Sequence, residues 1–178
     1  MRQTKAGSQN RCIHAHSIAV LVIAAAASLS GLSGARAEVP EAIAAADATL
    51  VATAHAEGAQ IYECKADEHG QDIWQFREPI AALMIDGKTV GRHYAGPSWE
   101  LVDGSVVTAK AVGSVPGATA LDIPLLKLEV TSRHGAGQLT LVTMVQRLNT
   151  RGGALEWACS TPGAMASMPY AADYAFWQ

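Results

Sequence analysis

Beyond residue 57, hydrophobic and polar residues alternate along most of the chain with the two-residue period of half-buried β-strands. Tyr170, Ala172, Tyr174 and Phe176, for example, share one face of segment 170–177. Turn residues such as Asp-Gly and Gly-Gly separate these segments. The pattern predicts eight or nine strands, drawn from segments 60–64, 73–77, 82–85, 99–102, 105–112, 125–131, 138–148, 155–159 and 170–177.

Short strands at regular spacing, without a convincing long helix, predict an all-β fold. We expect a single antiparallel β-sandwich or β-barrel domain of about eight to nine short strands. Asp103-Gly104 lies between two of the segments and favours a tight hairpin, because this dipeptide tolerates the positive φ angles of a type I′ turn. Segment 138–148 is expected to be the longest strand, with Leu139 and Leu141 on one face.

The N-terminus has the three features of a cleavable signal peptide. Arg2, Lys5 and Arg11 precede an apolar run at residues 18–29, and an Ala-x-Ala sequence ends at Ala37. Basic residues, a short apolar run and small residues at the cleavage point are what signal peptidase requires. A membrane anchor would need about 20 apolar residues, more than this run supplies. We expect an exported protein, periplasmic or extracellular, with no stable membrane insertion after cleavage.

Three segments follow from these patterns: a signal peptide at 1–37, a lead-in at 38–57 and a β-rich domain at 58–178. The lead-in is rich in alanine, and helix propensity favours a short helix there. Residues 50–56 fit an extended chain equally well.

Composition narrows the classes of partner. Cleavage after residue 37 removes four of the 13 basic residues and none of the 16 acidic ones, which leaves a mature net charge of −7. An acidic domain without a basic patch is not expected to bind nucleic acid. The chain also lacks a glycine-rich nucleotide-binding motif, and no two of the mature histidines are spaced as a locally chelating pair, so we expect no cofactor and no metal.

The cysteine count predicts a disulfide. Cys12 leaves with the signal peptide, and the mature chain keeps only Cys64 and Cys159. Two thiols in an exported protein favour one bridge, because that compartment is oxidising. Two separately buried thiols are the alternative.

Segment 91–103 concentrates side chains that carry chemistry. They are His93, Tyr94, Trp99, Glu100 and Asp103. His93 is a candidate general base, with Asp103 or Glu100 as its orienting carboxylate. Tyr94 and Trp99 are candidates for stacking on a sugar or an aromatic ligand. The structural alternative, which we favour, puts Trp99 in the core and Asp103 at the start of a hairpin.

Register separates core from candidate site in this region. Trp99 and Leu101 share a strand face, so we expect both to point into the core. His93 and Tyr94 precede a Gly-Pro turn, so we expect them near the surface as candidate ligand-binding residues. Arg147 is the third candidate; an internal structural ion pair is favoured for it over a carboxylate ligand.

Six motifs in order carry a resemblance to a known family. They lie at residues 58–64, 91–99, 103–105, 123–126, 146–153 and 170–176. In order and spacing they resemble family 3455 of the domains of unknown function, found in exported bacterial and fungal proteins, over roughly residues 55–178. The resemblance implies no established activity. It implies a structural bridge at Cys64 and makes segment 93–99 the leading site candidate.

Two functions fit these observations. The first is a non-enzymatic exported β-domain that binds a small molecule, a glycan or an envelope partner. The alternative is a small hydrolase or lyase that uses His93 with Asp103 or Glu100. A histidine in a cleft beside a carboxylate would favour the enzyme, whereas a histidine buried against a backbone carbonyl would favour the binding module.

Overall fold

A computed structural model describes residues 39–178, in which eight antiparallel strands form a closed barrel. Each strand pairs with the next along the chain, and the last pairs with the first. This confirms the all-β prediction and selects the barrel over the sandwich. The predicted signal peptide lies outside the described residues. The strands are β1 (Leu50–Ala66), β2 (Asp72–Ile85), β3 (Lys88–Tyr94), β4 (Ser98–Leu101), β5 (Val106–Val115), β6 (Leu125–His134), β7 (Met144–Gly152) and β8 (Met165–Trp177).

Alternation along the strands determines which side chains fill the barrel. In β8, Tyr174 and Phe176 point inward and are buried, as the pattern predicted. In β1, Ala54 and Ala56 point inward while His55, between them, is exposed. The small alanines let the wide aromatic side chains of the adjacent β8 occupy the interior, which fills one half of the barrel.

The connections define two ends of the barrel. Because neighbouring strands run in opposite directions, the β1–β2, β3–β4, β5–β6 and β7–β8 connections all lie at one end, here called the mouth end. Cys64, near the end of β1, forms a disulfide with Cys159 in the β7–β8 connection, with 5.7 Å between their Cα atoms. The predicted bridge is thus confirmed, and it fastens this connection to the barrel wall.

The N-terminal lead-in is shorter than predicted. Only Glu41–Ile43 is helical, as one 3-10 turn, and β1 already begins at Leu50, so the extended alternative holds for residues 50–56. The turn is held outside the barrel because Lys127 donates a hydrogen bond to the carbonyl of Ala44 at 2.9 Å. Within residues 39–178, no helix has the length and hydropathy needed to cross a bilayer.

One predicted strand is wrong in its first half, and a second predicted strand is absent. In segment 138–148, Leu139 is fully buried whereas Leu141 is 68% exposed, so the two do not share a face. The hydroxyl of Thr140 accepts from the N–H of Gly137 and donates to its carbonyl, and this local turn replaces strand pairing until β7 begins at Met144. Segment 155–159 is also not a strand, and lies in the connection that carries the disulfide.

The predicted hairpin at Asp103-Gly104 is confirmed, but its turn differs in type. Gly104 has φ of +86°, whereas Asp103 does not have positive φ. The N–H of Gly104 donates to Leu101 at 3.0 Å, and the carbonyl of Ser105 accepts from Leu101 at 3.0 Å. This is a type I turn followed by a left-handed glycine rather than a type I′ turn. The carboxylate of Asp103 favours it by accepting from the N–H of Ser105 at 2.9 Å.

Candidate functional site

The half of the barrel next to the mouth end contains a cavity of about 350 Å³. Its walls are mainly apolar and include Pro97 in the β3–β4 connection and Pro124 in the β5–β6 connection. Leu126 and Leu128 of β6 continue the wall inward. Phe76 lines the cavity and is 53% exposed, so the cavity reaches solvent beside this ring.

His93 lies on the cavity wall, buried rather than at the surface. Its side chain is 3% exposed, because β3 and β4 pair so that His93 lies opposite Trp99 on the inner face. Its Nδ1 lies 2.8 Å from the carbonyl oxygen of Ser98, which can only accept, so Nδ1 carries the proton and Nε2 is the acceptor. Burial lowers the pKa of His93 to about 4, which keeps the ring neutral near pH 7.

Trp99 occupies the core, as its register predicted. It is 1% exposed and packs edge-on against Phe176 with 6.3 Å between ring centroids. Its ring also lines the cavity, and its Nε1 has no hydrogen-bond partner among the described residues. Trp99 is therefore both a core residue and part of the cavity wall.

Glu100 and Tyr94 lie on the outer surface of the barrel. Successive residues of a strand face opposite ways, so Glu100 points outward where Trp99 points inward. Arg92 donates to Glu100 from Nη2 at 2.8 Å, and the hydroxyl of Tyr94 donates to the same oxygen at 3.2 Å. The hydrogen bond from Arg92 holds the pKa of Glu100 below its usual range. Neither Tyr94 nor Glu100 lines the cavity.

Asp103 lies at the opposite end from the mouth, where it joins two hairpins. One carboxylate oxygen accepts from the N–H and hydroxyl of Ser105, at 2.9 and 2.6 Å, and the other accepts from the N–H of Gln138 at 2.7 Å. These hydrogen bonds, that of Gln138 above all, lower the pKa of Asp103. Within residues 39–178, neither candidate carboxylate is hydrogen-bonded to His93, so the histidine–carboxylate pair expected for the hydrolase or lyase is not formed.

Arg147 of β7 lines the cavity, opposite Leu126 on one side and Tyr174 on the other. Its Nε donates to the carbonyl of Pro124 at 2.9 Å. No carboxylate of the described residues forms an ion pair with Arg147, so the expected internal pair is absent. Burial raises the pKa of Tyr174, and the positive charge of Arg147 beside it opposes that rise.

Gln60 and Tyr62 complete the polar part of the wall, and they are not among the site residues that the sequence predicted. Gln60 is 2% exposed, and its Nε2 has no hydrogen-bond partner in the described structure. The hydroxyl of Tyr62 donates to the carbonyl of Gly153 at 2.8 Å. The alternation along β1 could have indicated them, because it puts both residues on one face with Cys64. A glutamine on an inward face is unusual.

A second polar cluster lies on the outer wall. Nδ1 of His55 lies 2.8 Å from a carboxylate oxygen of Asp173, and the side chain of Asn149 donates to the other oxygen at 2.7 Å. Asn149 has φ of +51° beside a bulge in β7, and its bond to Asp173 holds that irregular backbone in place. Among residues 39–178, no group of three His, Cys, Asp or Glu side chains is placed to hold a metal ion.

Comparison with known proteins gives one match. The family model described as "Protein of unknown function (DUF3455)" matches residues 44–178. This confirms the resemblance predicted from the six motifs. The chain matches no curated protein and no solved structure.

Proposed function

Because the chain belongs to the DUF3455 family of proteins of unknown function, we propose a function from its interior: an exported, non-enzymatic module that binds a small, largely apolar molecule inside the barrel. The observation that carries this proposal is the cavity of about 350 Å³. An eight-stranded barrel has an interior that side chains fill or that holds one small ligand. This volume lies within the usual range of ligand pockets, roughly 300–1,000 Å³.

The cavity wall supports binding of an apolar body. Most of it is aliphatic, aromatic or proline surface, and a ligand enclosed there would lose contact with water over most of its area. Because most of the wall belongs to paired strands of a closed sheet, little ordering of the protein would accompany binding.

Export to the periplasm or the medium belongs to the same proposal. The Cys64–Cys159 disulfide is compatible with an oxidising compartment. The basic, apolar and small-residue segments at 1–37 support a cleaved signal peptide.

Binding is favoured over the hydrolase or lyase alternative. His93 is bonded to the carbonyl of Ser98, and Glu100 is engaged by Arg92 on the outer surface. A glycan is disfavoured as ligand, because Trp99 is 1% exposed and offers no open face on which a sugar could stack.

A neutral apolar fluorophore tests the proposal. We expect N-phenyl-1-naphthylamine to bind the mature, oxidised protein saturably at one site, with a rise in its fluorescence. Ala111→Trp would fill the cavity that Ala111 lines and would abolish this binding. Val112→Trp is the matched control, because Val112 is 54% exposed on the outer face and its replacement leaves the cavity open.

Two results would overturn the proposal. The first is failure of the wild-type protein to bind the fluorophore at any concentration at which it stays dissolved. The second is undiminished binding by a folded Ala111→Trp protein, which would locate the fluorophore outside the cavity.

A further inference from the structure

Two residues that line the cavity have a buried hydrogen-bond donor without an acceptor. Two side chains that line it have a buried polar atom without a partner: Nε2 of Gln60 and Nε1 of Trp99, on residues 2% and 1% exposed. Both atoms are donors only. The hydroxyl of Tyr170 is near enough for the amide of Gln60 to act on its pKa, but no hydrogen bond joins the two side chains. A buried donor without an acceptor is energetically unfavourable. A ligand that brings a hydrogen-bond acceptor to these donors would remove that cost.

Arg147 adds a charge to the same wall. Its Nε is engaged by the carbonyl of Pro124, and its guanidinium lies close enough to the hydroxyl of Tyr174 to oppose the rise in pKa that burial causes there, so the Nη donors not turned to Tyr174 are available to a ligand. No Asp or Glu is among the described residues that line the cavity. Arg147 is half-buried, and a guanidinium that faces a mainly apolar surface without a counter-ion would be stabilised by an anion bound there.

The net positive charge of the cavity wall indicates how much negative charge a bound anion should carry. Arg147 is the only Lys or Arg among the described lining residues, and His93 is neutral there because burial lowers its pKa to about 4. One guanidinium balances one negative charge. A carboxylate carries one charge and matches the planar guanidinium, whereas a phosphate ester carries about −1.5 to −2 near pH 7.

We propose that the natural ligand is a monocarboxylic acid with an apolar body. Its carboxylate binds Arg147 and the amide of Gln60, and its body lies against the apolar wall that includes Leu126 and Phe76. This inference rests on the proposed function and specifies the ligand class of the same cavity.

Matched acid and alcohol pairs test the inference by calorimetry at pH 7.5. Decanoate and 1-decanol share an aliphatic body, while 1-naphthoate and 1-naphthalenemethanol share an aromatic one. In at least one pair, we expect the acid to bind the wild-type protein at least about tenfold more tightly, because a charge-assisted hydrogen bond is stronger than a neutral one. The pair with the tighter acid identifies the body that the cavity accepts.

Arg147→Gln is expected to weaken binding of the acid much more than binding of the alcohol, and so to reduce the preference for the acid to less than about threefold. Arg133→Gln is the matched control. Nε of Arg133 also donates to a backbone carbonyl, that of Val142 at 2.7 Å, but Arg133 does not line the cavity. This control is expected to retain the full preference. Gln60→Met provides a second variant should Arg147→Gln fail to fold, and we expect it to weaken the acid at least about threefold.

The outcomes separate the two proposals. Equal affinity for acid and alcohol in both pairs, or a preference that a folded Arg147→Gln or Gln60→Met protein retains in full, overturns the carboxylate inference and leaves the proposed function standing. Absence of binding by all four probes, together with absence of fluorophore binding, overturns the proposed function and the inference with it.

Discussion

His93 and Trp99 stack face to face between β3 and β4, with their ring centroids 4.5 Å apart and their planes 10° apart. Tyr174 packs against both rings, and its ring centroid lies 4.9 Å from that of His93 and 5.2 Å from that of Trp99. All three residues line the cavity, and Trp99 also packs against Phe176 in the core. These three side chains thus connect the packed half of the barrel to the half that contains the cavity. Replacement of His93 or Trp99 is therefore expected to affect both stability and the cavity.

Replacement of Trp99 by alanine tests the core role of this ring. Trp99 is 1% exposed, and removal of a fully buried tryptophan leaves a large void. We expect Trp99→Ala to lower the free energy of unfolding by about 3–5 kcal/mol, measured by urea denaturation. Trp157→Ala is the control, because Trp157 is 56% exposed, and should change stability by no more than about 0.5 kcal/mol. Similar effects of the two substitutions would contradict this assignment.

The buried, neutral His93 predicts a dependence of stability on pH. Its pKa is lowered from 6.5 to about 4 in the folded protein. Between these values the unfolded chain binds a proton that the folded protein does not, so stability falls as pH falls from about 6.5 to 4. The full effect is about 3 kcal/mol, at 1.36 kcal/mol per pKa unit.

His93→Phe isolates this contribution, because phenylalanine preserves a flat ring against Trp99 and cannot titrate. Urea denaturation at several pH values between 4 and 7 is expected to give a steeper fall for the wild-type protein than for the variant. Parallel curves would show that His93 does not titrate in this window. His93→Ala is expected to destabilise the protein, since the ring is 3% exposed and stacked on Trp99.

The sequence predicted Trp99 correctly and His93 incorrectly for a physical reason. The position of Trp99 follows from alternation within one strand, which is a local property. The position of His93 depends on which residues pair across the β3–β4 connection, and a Gly-Pro turn indicates a reversal of the chain without determining the register. Likewise, the lack of an ion partner for Arg147 depends on where every carboxylate lies in three dimensions. Local turn chemistry at Thr140 overrode an alternating pattern that was otherwise typical of a strand.

The disulfide is expected to stabilise the barrel by constraining the unfolded chain. Cys64 and Cys159 are separated by 95 residues, for which chain-entropy reasoning gives roughly 2–5 kcal/mol. A Cys64→Ala/Cys159→Ala double variant should be less stable by that amount in urea denaturation. Addition of reductant should lower the stability of the wild-type protein to about that of the variant, and should leave the variant unchanged. A response of the variant to reductant would show that the effect does not come from this bridge.

Asp103 provides a prediction about the end of the barrel opposite the mouth. Its carboxylate accepts from the N–H groups of Ser105 and Gln138, and so links the β4–β5 turn to the β6–β7 connection. Asp103→Ala leaves these donors without their acceptor, and we expect a loss of about 1–3 kcal/mol at pH 7. Val102→Ala is the control from the same turn, because Val102 is 81% exposed. Equal stability of the two variants would show that the carboxylate does not hold the hairpins together.

The effect of Asp103 on the pH profile is separable from that of His93. The folded-state pKa of Asp103 is lowered, so its contribution is present above the unfolded pKa, about 3.9, and is lost as pH falls below that value. The His93 contribution is lost at higher pH, between about 6.5 and 4. Asp103→Asn should therefore flatten the wild-type profile below about pH 4 and leave its slope between pH 5 and 6.5 intact, whereas His93→Phe should do the reverse. A change of slope in the same pH window for both variants would mean that the carboxylate and the imidazole titrate as a coupled pair. Such coupling would contradict the structure, in which Asp103 and His93 lie near opposite ends of the barrel.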